Sequence, residues 1–148
     1  MADKQIQQPD GKPGSRQSIF LNWERKSHDC IDFKKAYVDM AGDLVAGLLL
    51  SQIIYWHLPS KDGAASKLRV YRDGEYWLVK QRTDWWDEIR VKPDRFDAAC
   101  KKLVERGLIV KRYGRFNGLR TMSLRINWDR FLDLWDAMDG DAGPELGK

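Results

Sequence analysis

The sequence contains little cysteine and no hydrophobic run of membrane length. Two cysteines, Cys30 and Cys100, occur among 148 residues, which is too few for a disulfide framework and is typical of a reducing compartment. The longest apolar stretch, residues 44–58, is interrupted by polar side chains and is shorter than the roughly 20 residues that a transmembrane helix needs. Residues 1–18 lack the apolar segment of a secretory signal. We therefore expect a cytoplasmic protein with no membrane partner.

Residues suited to metal binding or nucleophilic catalysis are equally scarce. The two histidines, His28 and His57, form no recognisable motif with cysteine or serine, and no glycine-rich loop of the phosphate-binding type occurs. Asp84, Asp87 and Glu88 are clustered, but they fall at the start of a predicted helix, where the helix dipole favours negative charge. We expect no enzymatic activity, no metal and no cofactor. Nuclease chemistry from these three carboxylates stays open as an alternative.

Aliphatic and aromatic residues are plentiful, and they indicate one folded domain. Hydrophobic residues make up 43% of the chain and aromatic residues 11%, which is too apolar for an intrinsically disordered protein. The two ends are instead rich in glycine, proline and polar residues. We predict a flexible N-terminal arm over residues 1–18, a domain over residues 19–138 and a flexible tail over residues 139–148.

Positive charge is concentrated in one part of the sequence. The chain has a formal charge of +4, but residues 80–126 alone carry 13 Lys and Arg against 6 Asp and Glu. Residues 127–148 are acidic, with 2 basic and 6 acidic residues. A local excess of this size is suited to a polyanionic partner such as nucleic acid, although basic residues also solvate ordinary helix faces.

The first half of the domain reads as two helices followed by a hairpin. A short helix over residues 33–41 should end at Gly42, and a longer apolar helix should start after the N-cap Asp43. Alternating residues on both sides of Asp73-Gly74 predict strands near 68–72 and 75–79, because this dipeptide suits a two-residue turn.

The second half reads as a helix pair, a hairpin and a final helix. We predict helices over residues 84–89 and 93–106, a hairpin over 108–126 that turns at 114–118, and an amphipathic helix over 128–138. This is the element order of a winged helix-turn-helix. The predicted fold class is therefore α+β, mainly α: a winged helix-turn-helix with an additional N-terminal β-hairpin and a C-terminal helix.

Apolar periodicity predicts one shared core. The residues expected in it are Leu49, Ile53, Trp56, Trp86, Ile89, Phe96, Cys100, Leu103, Leu108, Leu124 and Ile126. Trp85, Trp128 and Trp135 also fall on predicted apolar faces, so we interpret them as packing residues rather than stacking platforms for unpaired bases. In the last strand, Thr121, Ser123 and Arg125 are expected to face outward.

Three stretches of the sequence resemble a known family. They are LLLSQIIYWH at 48–57, TDWW at 83–86 and FDAACKKLVERGLIVKRYGRFNGLRTMSLRIN at 96–127. Together they resemble the winged-helix domain at the front of phage and plasmid replication-initiation proteins, and the likeness covers most of residues 19–135. The resemblance implies a non-enzymatic protein that binds double-stranded DNA during replication of a mobile element.

The basic residues of the helix pair and hairpin are the candidate DNA contacts. Helix 93–106 would enter the major groove and hairpin 108–126 would act as a basic wing. Arg95 is expected to reach a base edge, and the cations around the turn are expected to contact phosphates. The full set comprises Lys92, Arg95, Lys101, Lys102, Lys111, Arg112, Arg115, Asn117 and Arg120.

Two other functions remain open on this fold. The same domain could be a transcription regulator, or a protein-interaction module that binds through its hairpin or its acidic C-terminal helix. A homodimer or a replication-protein partner is compatible with each hypothesis.

Overall fold

The computed structural model describes residues 14–63 and 65–138, and these form six helices and four strands. The elements are α1 (Arg16–Lys26), α2 (Lys35–Ala41), α3 (Leu44–His57), β1 (Val70–Arg72), β2 (Glu75–Val79), α4 (Trp85–Ile89), α5 (Pro93–Glu105), β3 (Ile109–Phe116), β4 (Leu119–Ile126) and α6 (Trp128–Ala137). All strands pair antiparallel in one sheet with the order β1-β2-β4-β3. The α+β class is thereby confirmed.

Two compact units meet in sequence between Asp32 and Phe33. The first contains α1, whose N-cap Ser15 accepts a hydrogen bond from the Ser18 amide at 3.1 Å and which has no buried side chain. Residues 16–18, placed in the predicted arm, are the first residues of this helix. Residues 1–13 of that arm and the whole predicted tail, 139–148, lie outside the described residues.

The second unit is built around α3, whose ends follow the sequence signals. Gly42 adopts a φ of 76°, which ends α2, and Asp43 Oδ2 accepts a hydrogen bond from the Ala46 amide at 2.9 Å, which starts α3. At Gly47 a Cβ atom would lie 2.7 Å from the Val38 Cα, so only glycine permits this approach of α2 and α3. Both predicted helices are confirmed.

No single helix in the described ranges is long and apolar enough to span a membrane. Together α2 and α3 reach that length and hydropathy, but the pair is bent by 114° at the break between them. Six of the residues of α3 are buried inside the protein, as its nearly all-round hydrophobicity predicts.

The two hairpins are closed by turns of the same kind. Asp73 and Gly74 have φ values of 53° and 78°, and Asn117 and Gly118 have values of 54° and 80°, as two-residue hairpin turns with both central residues at positive φ require. The first turn is where the sequence predicts it. The predicted turn at 114–118 contains the Asn-Gly dipeptide that makes the observed turn, but it is too long, because β3 continues through Gly114 to Phe116.

Helices α4 and α5 form the expected pair. Pro93 occupies the first turn of α5, and Arg90 ends α4 with a φ of 59°. The buried face of α5 consists of Phe96, Ala99, Cys100 and Leu103, and the ring of Phe96 stacks on Trp85 with centroids 5.5 Å apart. These contacts hold α5 against α4 and the core.

The predicted core is largely confirmed, but two tryptophans are more exposed than predicted and one residue of β4 is more buried. Trp86 is 41% exposed and Trp128 is 40% exposed, whereas Trp85 is fully buried. The short helix α4 has one inward face, which Trp85 and Ile89 occupy at positions i and i+4, so Trp86 is turned away. Ser123 lies on the predicted face, away from Leu124, but it is buried there, where its hydroxyl accepts a hydrogen bond from Arg72 Nη2.

The two cysteines differ in accessibility, which leads to a simple prediction. Burial raises the pKa of the Cys100 thiol to about 11, whereas Cys30 is exposed. A thiol reagent at mildly alkaline pH is expected to modify Cys30 in the folded protein and Cys100 only after unfolding. Thiol counting with and without denaturant checks this, and rapid modification of both thiols in the native protein would contradict the burial of Cys100.

Candidate nucleic-acid interface

The predicted contacts on α5 are exposed, but two of them are engaged in ion pairs. Lys102 Nζ lies 2.9 Å from Asp43 Oδ1, and Lys101 Nζ lies 3.9 Å from Glu105 Oε2. The pKa of Asp43 is lowered first by its hydrogen bond from the Ala46 amide and then by Lys102. Lys102 therefore ties α5 to the start of α3, which makes it a structural residue as well as a surface cation.

Arg95 and Lys92 lie at the other end of the same helix. Lys92 is the N-cap of α5, and its Nζ lies 5.7 Å from the centroid of the exposed Trp86 ring. The Arg90 guanidinium carbon lies 5.2 Å from that centroid. Arg95 is exposed in the first turn, and among the described residues no carboxylate lies within 4.0 Å of its guanidinium. The turn between α4 and α5 thus presents an indole and three cations to solvent.

The cations of the β3–β4 hairpin are divided between its two faces. Strand pairing places Arg115 opposite Arg120 and Lys111 opposite Leu124, so these three cations share the face on which Leu124 and Met122 pack into the core. Arg112, opposite Ser123, belongs to the other face and contacts Asp73 Oδ2 at 3.3 Å. The structure therefore does not bring Arg112 together with the rest of the predicted set.

A groove separates α5 from the hairpin on the core side of the sheet. It has a volume of about 470 Å³, and we call it the α5–hairpin groove. Its lining includes Gln81, Arg82, Asp97, Lys111, Tyr113 and Arg120. The Arg120 guanidinium carbon lies 4.4 Å from the Tyr113 ring centroid, and Lys111 Nζ lies 5.4 Å from it. Two cations therefore flank an exposed ring in this groove.

Arg82 is a groove residue that the sequence analysis missed. Its Nη2 and Nε atoms donate to the two carboxylate oxygens of Asp97 at 2.6 and 3.1 Å. These hydrogen bonds lower the pKa of Asp97 and raise that of Arg82, so both groups are charged at neutral pH. Arg82 lies in the basic segment, but its pairing with a residue of the next helix depends on the tertiary fold.

The remaining cations of the groove face are not neutralised. Within the described part of the chain, no carboxylate lies within 4.0 Å of the charged groups of Lys111, Arg115 or Arg120. Arg115 Nη1 donates to the Gly118 carbonyl at 3.1 Å, which keeps this guanidinium beside the turn. Asn117 is also at the turn, where its positive φ is a structural requirement. The hairpin tip is therefore a positively charged surface.

The three clustered carboxylates do not converge on one site. Glu88 Oε1 accepts hydrogen bonds from Gln52 at 2.8 Å and Trp56 at 2.9 Å, and its other oxygen pairs with Lys80. Asp84 instead accepts a hydrogen bond from the Gln81 amide at 2.8 Å. In the ranges that the structure describes, no three His, Cys, Asp or Glu side chains are grouped so that they could hold a metal ion.

Comparison with known proteins adds no further constraint. No protein-family model matches the chain, and neither a curated protein nor a solved structure is significantly similar to it.

Proposed function

We propose that this protein binds double-stranded DNA as a winged helix-turn-helix domain, without enzymatic activity. In this proposal α4 and α5 are the helix-turn-helix, α5 enters the major groove and the β3–β4 hairpin is the wing. The observation that carries the proposal is the α5–hairpin groove, where Lys111 and Arg120 stand unneutralised beside the N-terminal half of α5. A DNA backbone that passes along α5 would contact these cations directly.

The contacts of the two elements have different roles in this proposal. Arg95 lies at the third position of α5, where recognition helices of this type reach base edges, and its guanidinium fork suits guanine. Lys111, Arg115 and Arg120 would bind phosphates, which supply affinity but carry no sequence information. Lys102 and Arg112 contribute less than the sequence predicts, because each already pairs with an aspartate.

The biological setting is proposed from the sequence resemblance. The likeness to phage and plasmid replication-initiation proteins favours replication of a mobile element, and a transcription regulator would use the same surface. The neighbouring genes would distinguish these two roles. The alternative from another class is a protein-interaction module, which is supported by α6, where Trp128 and Leu132 are exposed beside the acidic Asp129 and Asp133.

The DNA-binding proposal is tested by the salt dependence of affinity. Each phosphate contact contributes about 0.9 to the slope of log affinity against log salt concentration. We expect the parent protein to bind a random-sequence duplex at low salt, and we expect replacement of Lys111 and Arg120 together by Ala to reduce the slope by nearly two units. Fluorescence anisotropy titrations at several salt concentrations measure both quantities.

A charge-matched variant separates specific contacts from net charge. Lys61 and Arg69 are exposed, lie outside the α5–hairpin groove, and belong to the same compact unit. Replacing both by Ala removes the same charge and should leave the slope close to that of the parent. Equal slopes for all three proteins would mean that the hairpin is not a DNA-binding wing, and no binding at low salt would leave the protein-interaction alternative.

A further inference from the structure

The outer face of the sheet carries a second group of cations. Helices α3 and α5 contact β4 and β3 from the core side, where Leu78, Met122 and Leu124 are buried. On the opposite face Trp77 is only 2% exposed, although it is not part of the core that those helices cover. Side chains from the sheet itself must therefore shield this indole from water.

Three arginines surround Trp77, and each comes from a different strand. Arg72 belongs to β1, Arg125 to β4 and Arg112 to β3, while Trp77 belongs to β2. Their guanidinium carbons lie 5.9, 5.3 and 5.2 Å from the centroid of the Trp77 ring. We call this group the arginine cluster. The sheet register fixes its members, because Trp77 pairs with Val70 and Arg112 pairs with Ser123.

The charges of the arginine cluster are only partly compensated. Arg112 pairs with Asp73, and Arg72 Nη2 donates to the buried Ser123 hydroxyl at 2.7 Å. Among the described residues, no carboxylate lies within 4.0 Å of Arg72 or Arg125, even though Glu75 is the cross-strand partner of Arg72. Two guanidinium groups therefore lack a counter-ion.

Arg125 also has a hydrogen-bond donor that lacks an acceptor among the described residues. Its Nη1 donates to the Ile126 carbonyl at 3.2 Å, but its Nε is buried and has no hydrogen-bond partner among the described residues. A buried donor without an acceptor is costly, and a donor on a charged group more so. A reorientation of the Arg125 side chain that brings this Nε to an anion would remove that cost.

We propose that the arginine cluster is a binding site for a phosphate group. Guanidinium groups form paired hydrogen bonds with phosphate oxygens, and the unneutralised charges of Arg72 and Arg125 suit a phosphate dianion or diester. The indole beneath them displaces water and strengthens the electrostatic attraction. The phosphate comes either from a nucleic-acid backbone or from free phosphate. The site is independent of the α5–hairpin groove, because Lys111, Arg115 and Arg120 lie on the other face of the sheet.

The test follows two NMR signals of the ¹⁵N-labelled full chain. The indole N–H of Trp77, which donates to the Arg72 carbonyl at 3.2 Å, and the Nε–H of Arg125 report on the cluster directly. Inorganic phosphate is titrated at constant ionic strength against chloride, and a short random-sequence duplex is titrated separately. We expect both signals to shift saturably with at least one of these probes.

Variants identify the groups responsible. Arg72→Gln is expected to weaken binding about tenfold, because it removes a charge-assisted hydrogen bond from an exposed side chain. Arg125→Lys keeps the charge of a partly buried residue but removes the guanidinium group, which can form two parallel hydrogen bonds with a phosphate. It should therefore also weaken binding while the protein stays folded. Arg69→Gln, just before β1, removes a charge outside the cluster and should bind both probes with the same affinity as the parent. Thermal unfolding of each variant verifies the fold.

The outcomes separate this proposal from the proposed DNA-binding function. Saturation by inorganic phosphate assigns the site to free phosphate, and shifts caused only by the duplex assign it to a nucleic-acid backbone. The absence of saturable shifts with both probes, or equal affinities of the parent and Arg72→Gln, would overturn the proposal. The phosphate arm contains no DNA, so a failure of the groove to bind DNA does not affect its result.

Discussion

Replacing Leu103 by Ala is expected to lower the free energy of unfolding by about 2 to 5 kcal/mol. Leu103 is fully buried on the inner face of α5, in the same core as Leu49 and Leu124. The substitution removes buried methyl groups and leaves a cavity among well-packed neighbours, and both changes destabilise the folded state. Urea unfolding followed by circular dichroism measures the difference.

The next residue of the helix provides the control. Val104 is 38% exposed, so Val104→Ala should change the unfolding free energy by no more than about 0.5 kcal/mol. Equal losses for the two variants would mean that α5 does not present Leu103 to the core. The position of the whole groove depends on that orientation, because Phe96 and Asp97 belong to the same helix.

Replacing Glu88 by Ala is expected to lower the free energy of unfolding by about 2 to 3 kcal/mol. Removing one partner of a fully buried ion pair lowers it by roughly 3 to 5 kcal/mol. The side chains of Lys80 and Glu88 are 16% and 20% exposed, so water partly screens the pair. The substitution leaves Lys80 without a counter-ion and removes the acceptor shared by Gln52 and Trp56. Asp87→Ala, at an exposed neighbouring position, should have a much smaller effect in the same unfolding assay.

The lowered pKa of the Glu88 carboxylate implies that the stability of the protein depends on pH. Burial raises the pKa of Glu88, but the interactions with Lys80, Trp56 and Gln52 outweigh burial and hold the pKa below its ordinary value of 4.5. The unfolded state therefore binds the proton more readily, and stability should fall as the pH drops below about 4.5 towards the folded-state pKa. Glu88→Gln should show a flatter profile in this range, whereas an unchanged profile would assign the loss to other carboxylates.

The sequence predicts the helices and hairpins of this fold because their signals are local. Asp43 caps α3 through an amide three residues away, Pro93 starts α5, and Asp73-Gly74 closes a turn between its own neighbours. Each of these features depends on a few adjacent residues. The α5 face with Phe96 and Leu103 is equally predictable, since its 3.6-residue period is regular.

The candidate site is less predictable because its residues are related by strand register and helix rotation. Arg112 and Arg115 are both near the hairpin tip in sequence, yet an odd separation along β3 places them on opposite faces. Whether Trp85 or Trp86 is buried depends on the rotation of α4 about its axis, and this helix is too short for its sequence to show a hydrophobic period. The pairing of Arg82 with Asp97 requires the packing of separate elements, which no local pattern encodes.

The junction between the two hairpins has a consequence for the order in which the domain folds. Strands β2 and β4 pair only at Leu78 with Leu124 and at Val79 with Ser123, supported by a bond from the Lys80 amide to the Met122 carbonyl at 3.3 Å. Each hairpin forms from adjacent residues, but this junction closes a long loop that contains α4, α5 and β3. Loop closure has an entropic cost that local pairing does not have, so we expect the junction to form after the two hairpins and to open before them. Opening it would part the two hairpins, whereas α5 and β4 would stay packed on α3.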